Sequence, residues 1–387
     1  MPQPNPLFAA VGVSIFETMS RLAAELGAIN LGQGFPEGLE PPAVLAAAVE
    51  ALRAGPHQYP PMRGIPELRR AVAAHGERHF GIAADWEREV VVTSGATEAL
   101  AASILALITP GDEVIIFEPA YDSYRPIIER AGATAVPVAL APPHWALPRA
   151  ALAAAITPRT RAILLNAPMN PTGKVFDADE LADIADLVRA HDLYAICDEV
   201  YEHLTFDGRR HLPLMALPGM RERCVRIGSA GKSFSVTGWK VGYLTADAAL
   251  ADPIARAHQY ITFTTPPALQ HAAAFGLGLG NDHFDTLRAS LQSRRDLLAG
   301  GLRQAGFTVL DSAATYFLNV DISAFARDGD DIAFAERLTR EAGVASIPLS
   351  AFYADRRPTG LVRLCFAKST ETLTIALQRL SRWRDSQ

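Results

Sequence analysis

Residues 161–201 read RAILLNAPMNPTGKVFDADELADIADLVRAHDLYAICDEVY, and their pattern decides the architecture. Two short apolar runs, Arg161–Leu165 and Tyr194–Cys197, have the length of strands. Between them, residues 178–191 place apolar side chains at helical spacing. Strand, loop, helix and strand in that order make a crossover unit whose two strands lie parallel in one sheet. The same reading extends outward. Glu89–Thr93 (EVVVT), Glu113–Phe117 (EVIIF) and Cys224–Ile227 (CVRI) are further strand candidates, and 66–80, 97–108 and 123–131 are further helices. Such apolar strands suit a sheet covered on both faces. The expected fold class is α/β, with a large domain whose mostly parallel sheet is wrapped by helices.

Past residue 280 the pattern changes. Thr315–Val320 (TYFLNV) and Leu361–Phe366 (LVRLCF) read as strands among helical stretches at 284–304 and 331–342, which predicts a smaller α+β domain. The expected division is an amino-terminal arm and part of the small domain in 1–30, a large domain in 31–280, and the small domain in 281–387. A length of 387 residues accommodates two such units. With 36 basic against 42 acidic residues the net charge is -6, which argues against nucleic acid or an anionic membrane as partner. Cys197, Cys224 and Cys365 lie far apart with no C-x-x-C pair, so neither a disulfide framework nor a cysteine zinc site is expected, and no metal is predicted. Residues 1–6 (MPQPNP) lack a basic segment followed by an apolar one, so the expectation is a cytoplasmic protein without a signal peptide.

In an open parallel sheet, ligands bind beyond the carboxyl ends of the strands. Five segments follow such ends here: Ser94–Glu98, Glu118–Asp122, Asn166–Gly173, Asp198–Tyr201 and Gly228–Ser233. Ser94–Thr97 opens a helix with small residues and reads equally as an anion cradle or as an ordinary capping turn. Gly231-Lys232-Ser233 is not a P-loop, because Arg226 stands where the motif needs glycine. What remains is Lys232 among small residues, with a carboxylate, a phenol and amides on neighbouring loops. Holding a lysine amine neutral at pH 7 costs roughly 4.6 kcal/mol from a reference pKa of ~10.4. Condensation with an aldehyde as a Schiff base removes that cost. Pyridoxal 5'-phosphate offers the aldehyde, a phosphate for the cradle and a ring nitrogen that needs a carboxylate.

The residues then become specific. Ser229–Gly242 (SAGKSFSVTGWKVG) resembles the cofactor-lysine signature of class I aminotransferases of fold type I. Asn166–Gly173 (NAPMNPTG), Asp198–Tyr201 (DEVY) and Asn30–Pro36 (NLGQGFP) resemble other signatures of that family, in the right order. Supporting stretches are HQYPPMRG at 57–64, TSGATEAL at 93–100, YDSY at 121–124, IPLSAFYAD at 347–355 and RLCFAK at 363–368. The likeness runs from Phe16 into the last helix and is especially marked to bacterial methionine aminotransferase and the kynurenine/glutamine branch.

The resemblance implies pyridoxal 5'-phosphate, a seven-stranded type of sheet, an amino acid donor, a 2-oxo acid acceptor, and a homodimer with shared active sites. It also assigns roles. Lys232 carries the cofactor and shuttles the substrate proton, Asp198 pairs with the ring nitrogen, and Tyr201 and Asn170 bind the phenolic oxygen. Tyr121 stacks on the ring; Gly95, Ala96, Thr97, Ser229 and Lys240 hold the phosphate, with Tyr59 reaching in from the neighbouring subunit. Many relatives have arginine where Lys240 stands, and lysine lacks the bidentate fork. Arg363 takes the substrate carboxylate, helped by Gly34 and Asn170. Read without the motifs, Asp198 suits a helix cap and Arg363 a solvent-facing edge strand.

Phe16, Tyr59, Phe263 and Phe352 would make the side-chain pocket aromatic, and no second cation for a dicarboxylate is assignable. Thr264 stands where kynurenine-using relatives have histidine, which favours methionine as donor. Competing readings are a kynurenine or glutamine transaminase, a cysteine S-conjugate β-lyase, and a sensor domain built on the same fold. The sensor reading is disfavoured by the acidic charge and by the presence of Lys232, Asp198, Tyr201 and Arg363 together.

Overall fold

The computed structural model describes residues 2–9, 12–326 and 328–387; Met1, Ala10 and Val11 of the predicted arm lie outside the described residues, as does Arg327. Seven strands form the main sheet: β1 Val90–Ser94, β2 Glu113–Glu118, β3 Thr134–Ala139, β4 Thr160–Asn166, β5 Tyr194–Asp198, β6 Cys224–Ser229 and β7 Val241–Ala246. Their order is β1-β7-β6-β5-β4-β2-β3. Only β7 runs antiparallel to its neighbours, β1 and β6. All five predicted strands of this sheet are present within two residues of the expected ends.

Two strands escaped the periodicity. β3 (TAVPVA) contains Pro137, which lacks an N–H for a ladder bond and is tolerated because β3 pairs with β2 alone, at the sheet edge. β7 (VGYLTA) begins directly after the Lys232 signature, and its Gly242 weakens the strand pattern.

Crossover helices cover both faces. The one over 178–190 starts where its sequence says it should: the Asp177 carboxylate accepts from Glu180 N–H at 2.9 Å, and the Glu180 carboxylate accepts from Asp177 N–H at 3.1 Å. A reciprocal cap of this kind stabilises a helix by about 1 kcal/mol. Leu181, Ile184, Ala185 and Val188 form its inward stripe and pack beneath β4 and β5 with Ile163, Leu165 and Ala195. Val91, Val114, Ile116, Leu164 and Ile227 face the other layer, with the helices Gly95–Leu107 and Ala248–Ile261.

The carboxy-terminal part carries a four-stranded antiparallel sheet of β8 Thr308–Val309, β9 Phe317–Asp321, β10 Ile347–Pro348 and β11 Leu361–Cys365, in the order β10-β11-β9-β8. The amino-terminal segment joins it: Ile29–Asn30 pairs in parallel with Val344–Ala345. One continuous apolar cluster runs from Met19 and Leu31 through Leu318 and Phe334 to Leu373. Both parts therefore pack against a shared cleft. Among the described residues, no helix is long and apolar enough to cross a membrane.

Candidate active site

A cavity of about 470 Å³ opens where β1, β4, β5 and β6 end, roofed by Gly34, Phe317 and Arg363. Into it the loops bring Phe16, Gly95, Ala96, Thr97, Tyr121, Asn170, Asp198, Tyr201, Ser229, Lys232 and Lys240 alongside Gly34 and Arg363. Those are thirteen of the sixteen predicted site residues.

Lys232 sits in a single helical turn, Ala230–Ser233, that follows β6. Its Nζ donates to the Tyr316 hydroxyl at 2.9 Å and lies over the rings of Tyr201 and Tyr316, 5.5 and 5.6 Å from their centres. The chain has four lysines. Lys174 is tied to Glu180 and Lys368 to Glu37, whereas Lys232 and Lys240 face the cavity without a carboxylate partner.

Asp198 ends β5, and no helix follows it, so the capping role is ruled out. Its Oδ2 accepts from the Tyr124 hydroxyl at 2.6 Å, while Oδ1 is buried with no partner. Burial pushes this carboxyl above its ordinary value, against the pull of Tyr124. A buried acceptor of this kind demands a donor.

The cradle lies at the other end of the cavity. Ser94 makes no side-chain cap, so the first-turn amides of the helix Gly95–Leu107 point into the cavity unopposed. Gly95 has φ +77, a left-handed conformation that glycine adopts without strain. A Cβ on Gly242 would stand 2.4 Å from the Gly95 carbonyl carbon and 2.6 Å from the Ala96 nitrogen. Glycine at 242 is thus what lets the loop lie against β7. Lys240 Nζ sits above Gly95, adding a cation to the amides.

Arg363 lies on β11, an interior strand, and is 2% exposed, so the solvent-edge reading fails. Its Nη1 donates to Asn170 Oδ1 at 2.9 Å and its Nη2 to the Gly32 carbonyl at 2.8 Å, while Nε has no partner. The guanidinium stacks 3.9 Å from the centre of Phe317. Burial lowers its pKa to about 10, which still leaves it charged at neutral pH. Because Asn170 Oδ1 is engaged by Arg363, the Asn170 amide is left to donate toward the cavity.

Residues 27–380 match the family described as aminotransferase class I and II. The chain belongs to that family. This aminotransferase is 47% identical over 379 residues to a probable N-succinyldiaminopimelate aminotransferase, DapC, of Mycobacterium tuberculosis, with 95% of each chain covered. It is 41% identical over 377 residues to the methionine aminotransferase of Escherichia coli, with 97% of each covered. The solved structure of YbdL from Escherichia coli, described by its methionine aminotransferase function, superposes with a TM-score of 0.95, covering 99% of this chain and 100% of that one.

The family depends on pyridoxal 5'-phosphate, and the cavity fits it. The orphaned Asp198 Oδ1, the uncapped amide cradle that a Cβ at 242 would disturb, and an unpaired lysine between them match the ring nitrogen, phosphate and aldehyde of one molecule.

Three predicted residues do not line the cavity of one chain. Phe352 packs edge to face on Phe16, with ring centres 5.6 Å apart, and meets the site at Arg363, whose guanidinium lies 5.0 Å from its ring centre. Tyr59 and Phe263 pack edge to face with each other, 5.4 Å apart, and are 82% and 38% exposed. The periodicity and motifs missed Tyr124 as the Asp198 partner and Tyr316 as the Lys232 partner. Tyr124 was recoverable: it stands one helical turn beyond Tyr121, and a phenol buried among apolar residues needs a partner.

Proposed function

We propose that this aminotransferase takes its amino group from neutral, apolar amino acids, methionine first and aromatic residues beside it, and gives it to a 2-oxo acid. One observation carries this reading. Among the described residues lining the cavity, the basic ones are Lys232, Lys240 and Arg363, and the reaction occupies all three. Nothing basic is left for a second carboxylate. Asp122 also lines the cavity and offers a second carboxylate no cation. Phe16, Phe35 and Phe317 supply apolar wall instead.

The cofactor, when bound, supplies an aldehyde that condenses with amines and a ring that withdraws electrons from the carbon under attack. The protein does the rest. Arg363, fixed by Asn170 and Gly32, keeps N–H groups free to grip the donor α-carboxylate. That grip would orient the Cα–H bond toward Lys232, whose Nζ takes the proton up and returns it two atoms away, to the carbon across the nitrogen. Tyr316 positions Nζ by accepting from it and donating to the Gly34 carbonyl at 2.8 Å. Asp198 would hold the ring nitrogen protonated, and Tyr124 keeps that carboxylate aimed. Tyr201 and Asn170 would donate to the phenolic oxygen, and Tyr121 would cover the ring face. The amides of 95–97, Ser229 and Lys240 would hold the phosphate. A homodimer would complete the site: Tyr59 and Phe263 form an exposed aromatic pair of the kind a subunit interface covers, and a neighbour's Tyr59 would reach the phosphate.

The likeness to DapC favours a second reading, in which the donor is an N-succinylated diamino acid. Such a donor carries a further carboxylate that must find a cation outside this chain's cavity. Single-turnover conversion of the bound cofactor by methionine, phenylalanine, kynurenine, glutamine, aspartate and N-succinyl-diaminopimelate separates the two. Methionine or phenylalanine should react fastest. A wide lead for aspartate or the succinylated donor would overturn the assignment.

A further inference from the structure

Directly behind Tyr201 the chain continues with Glu202 and His203, and both side chains are buried, 3% and 5% exposed. They meet His75, 2% exposed, from the helix Pro66–Phe80. The three belong to none of the roles described above. His75 Nε2 lies 2.7 Å from His203 Nε2, and Glu202 Oε1 lies 3.6 Å from each of them. One oxygen and two imidazole nitrogens thus converge on a common point.

We propose that His75, Glu202 and His203 form a binding site for a divalent transition-metal ion of the zinc type. Two imidazoles and one carboxylate are a donor set that suits zinc, nickel and cobalt and ill suits magnesium or calcium. Tetrahedral zinc with ligands at ~2.0–2.1 Å needs its donor atoms about 3.3 Å apart. The two nitrogen–oxygen distances already approach that value. The two nitrogens need to part by about 0.6 Å, a small rotation of either ring.

The surroundings point the same way. Glu202 Oε2 is taken by Arg226, and Arg226 Nε donates in turn to Glu199 at 2.6 Å. This fixes the carboxylate with Oε1 aimed at the histidine pair, where it is buried and accepts no hydrogen bond. Outer contacts that orient a ligand are a regular part of metal sites. Two buried carboxylates, Glu199 and Glu202, share one guanidinium, Arg226, and Glu199 also meets His211 Nε2 at 3.0 Å, which leaves Glu202 Oε1 the unpartnered oxygen of the group. A cation at the convergence point would pair with Glu202 Oε1, which is buried without a partner. His79, half-buried, adds a further imidazole next to the cluster, its ring centre 4.4 Å from that of His75.

The site would tie the helix Pro66–Phe80 to the segment that presents Asp198 and Tyr201. The test uses cofactor-loaded protein dialysed against a chelator and then titrated with Zn2+ by calorimetry. One Zn2+ should bind per chain, the melting temperature should climb with Zn2+ concentration, and Mg2+ should do neither. His75→Asn and Glu202→Gln should each weaken the uptake at least about tenfold. Co2+ loaded onto the unaltered protein should show the intense visible bands of a tetrahedral site, a readout that needs no variant to fold. Failure of the unaltered protein to take up stoichiometric Zn2+ overturns the proposal. So does uptake that persists unchanged in both variants, because the ion then sits elsewhere.

Discussion

Replacing Arg363 with lysine keeps a cation on β11 while removing its planar fork. The structure says what that fork does. Of the five N–H donors of a guanidinium, one is given to Asn170 and one to Gly32, and Nε–H remains without a partner. A donor carboxylate can therefore be held at two points, whereas an ammonium on a flexible stem offers one. A charge-assisted hydrogen bond contributes about 1.5–3 kcal/mol, so Arg363→Lys should lower kcat/KM for methionine by about 10- to 150-fold. Loss of packing on Phe317 would also lower the rate, and a second donor separates the effects. Methionine amide lacks the carboxylate. In the unaltered enzyme methionine should outpace its amide by a wide margin, and in the variant that ratio should shrink by the same 10- to 150-fold factor estimated from the lost bond. The assay is single-turnover spectrophotometry of the bound cofactor with each donor. If the variant slows both donors equally, the carboxylate does not bind at Arg363, and the reasoning fails.

Further outcomes follow from the same geometry. Gly242→Ala places a methyl against Gly95 and Ala96, and overpacking of about 1–3 kcal/mol should weaken cofactor retention about 5- to 150-fold by equilibrium dialysis; unchanged retention would show that the cradle lies elsewhere. Tyr316→Phe removes the acceptor for Lys232 and the donor to Gly34, so kcat should fall about tenfold with KM for the donor little changed; an unaltered kcat would contradict the positioning role. Burial raises the Asp198 carboxyl, so in the cofactor-free protein its contribution to stability is full below the unfolded carboxylate pKa and is lost as pH rises through the folded value. Asp198→Asn should flatten that part of the stability–pH curve in denaturant unfolding, and a steeper curve in the variant would refute the sign.

The sheet was legible because its strands are apolar on both faces and its crossover helices keep a helical period over ten or more residues. β3 was hidden by Pro137, which is permitted only at an edge that the sequence does not mark. β7 was hidden because Gly242 serves the cradle rather than the strand. The site was legible wherever a strand end carries its own side chain, as with Asp198 and Lys232. Tyr316 was not, because it reaches Lys232 and Gly34 across 84 and 282 residues, and no local pattern announces such a contact. Phe352, read as pocket wall through the family resemblance, meets Phe16 edge to face and flanks Arg363 at 5.0 Å, contacts between distant segments that no local pattern announces. The His75–Glu202–His203 cluster gave no motif because its members come from two distant segments, only two of them adjacent.

Reduction of the cofactor-loaded protein with borohydride, followed by peptide mapping, tests the central claim most directly. With four lysines in the chain, the outcome is easily read. The label should fall on Lys232 alone, whose amine faces the cavity between the amide cradle and the unpaired Asp198 oxygen. A label on Lys174, Lys240 or Lys368, or no label at all, would contradict it.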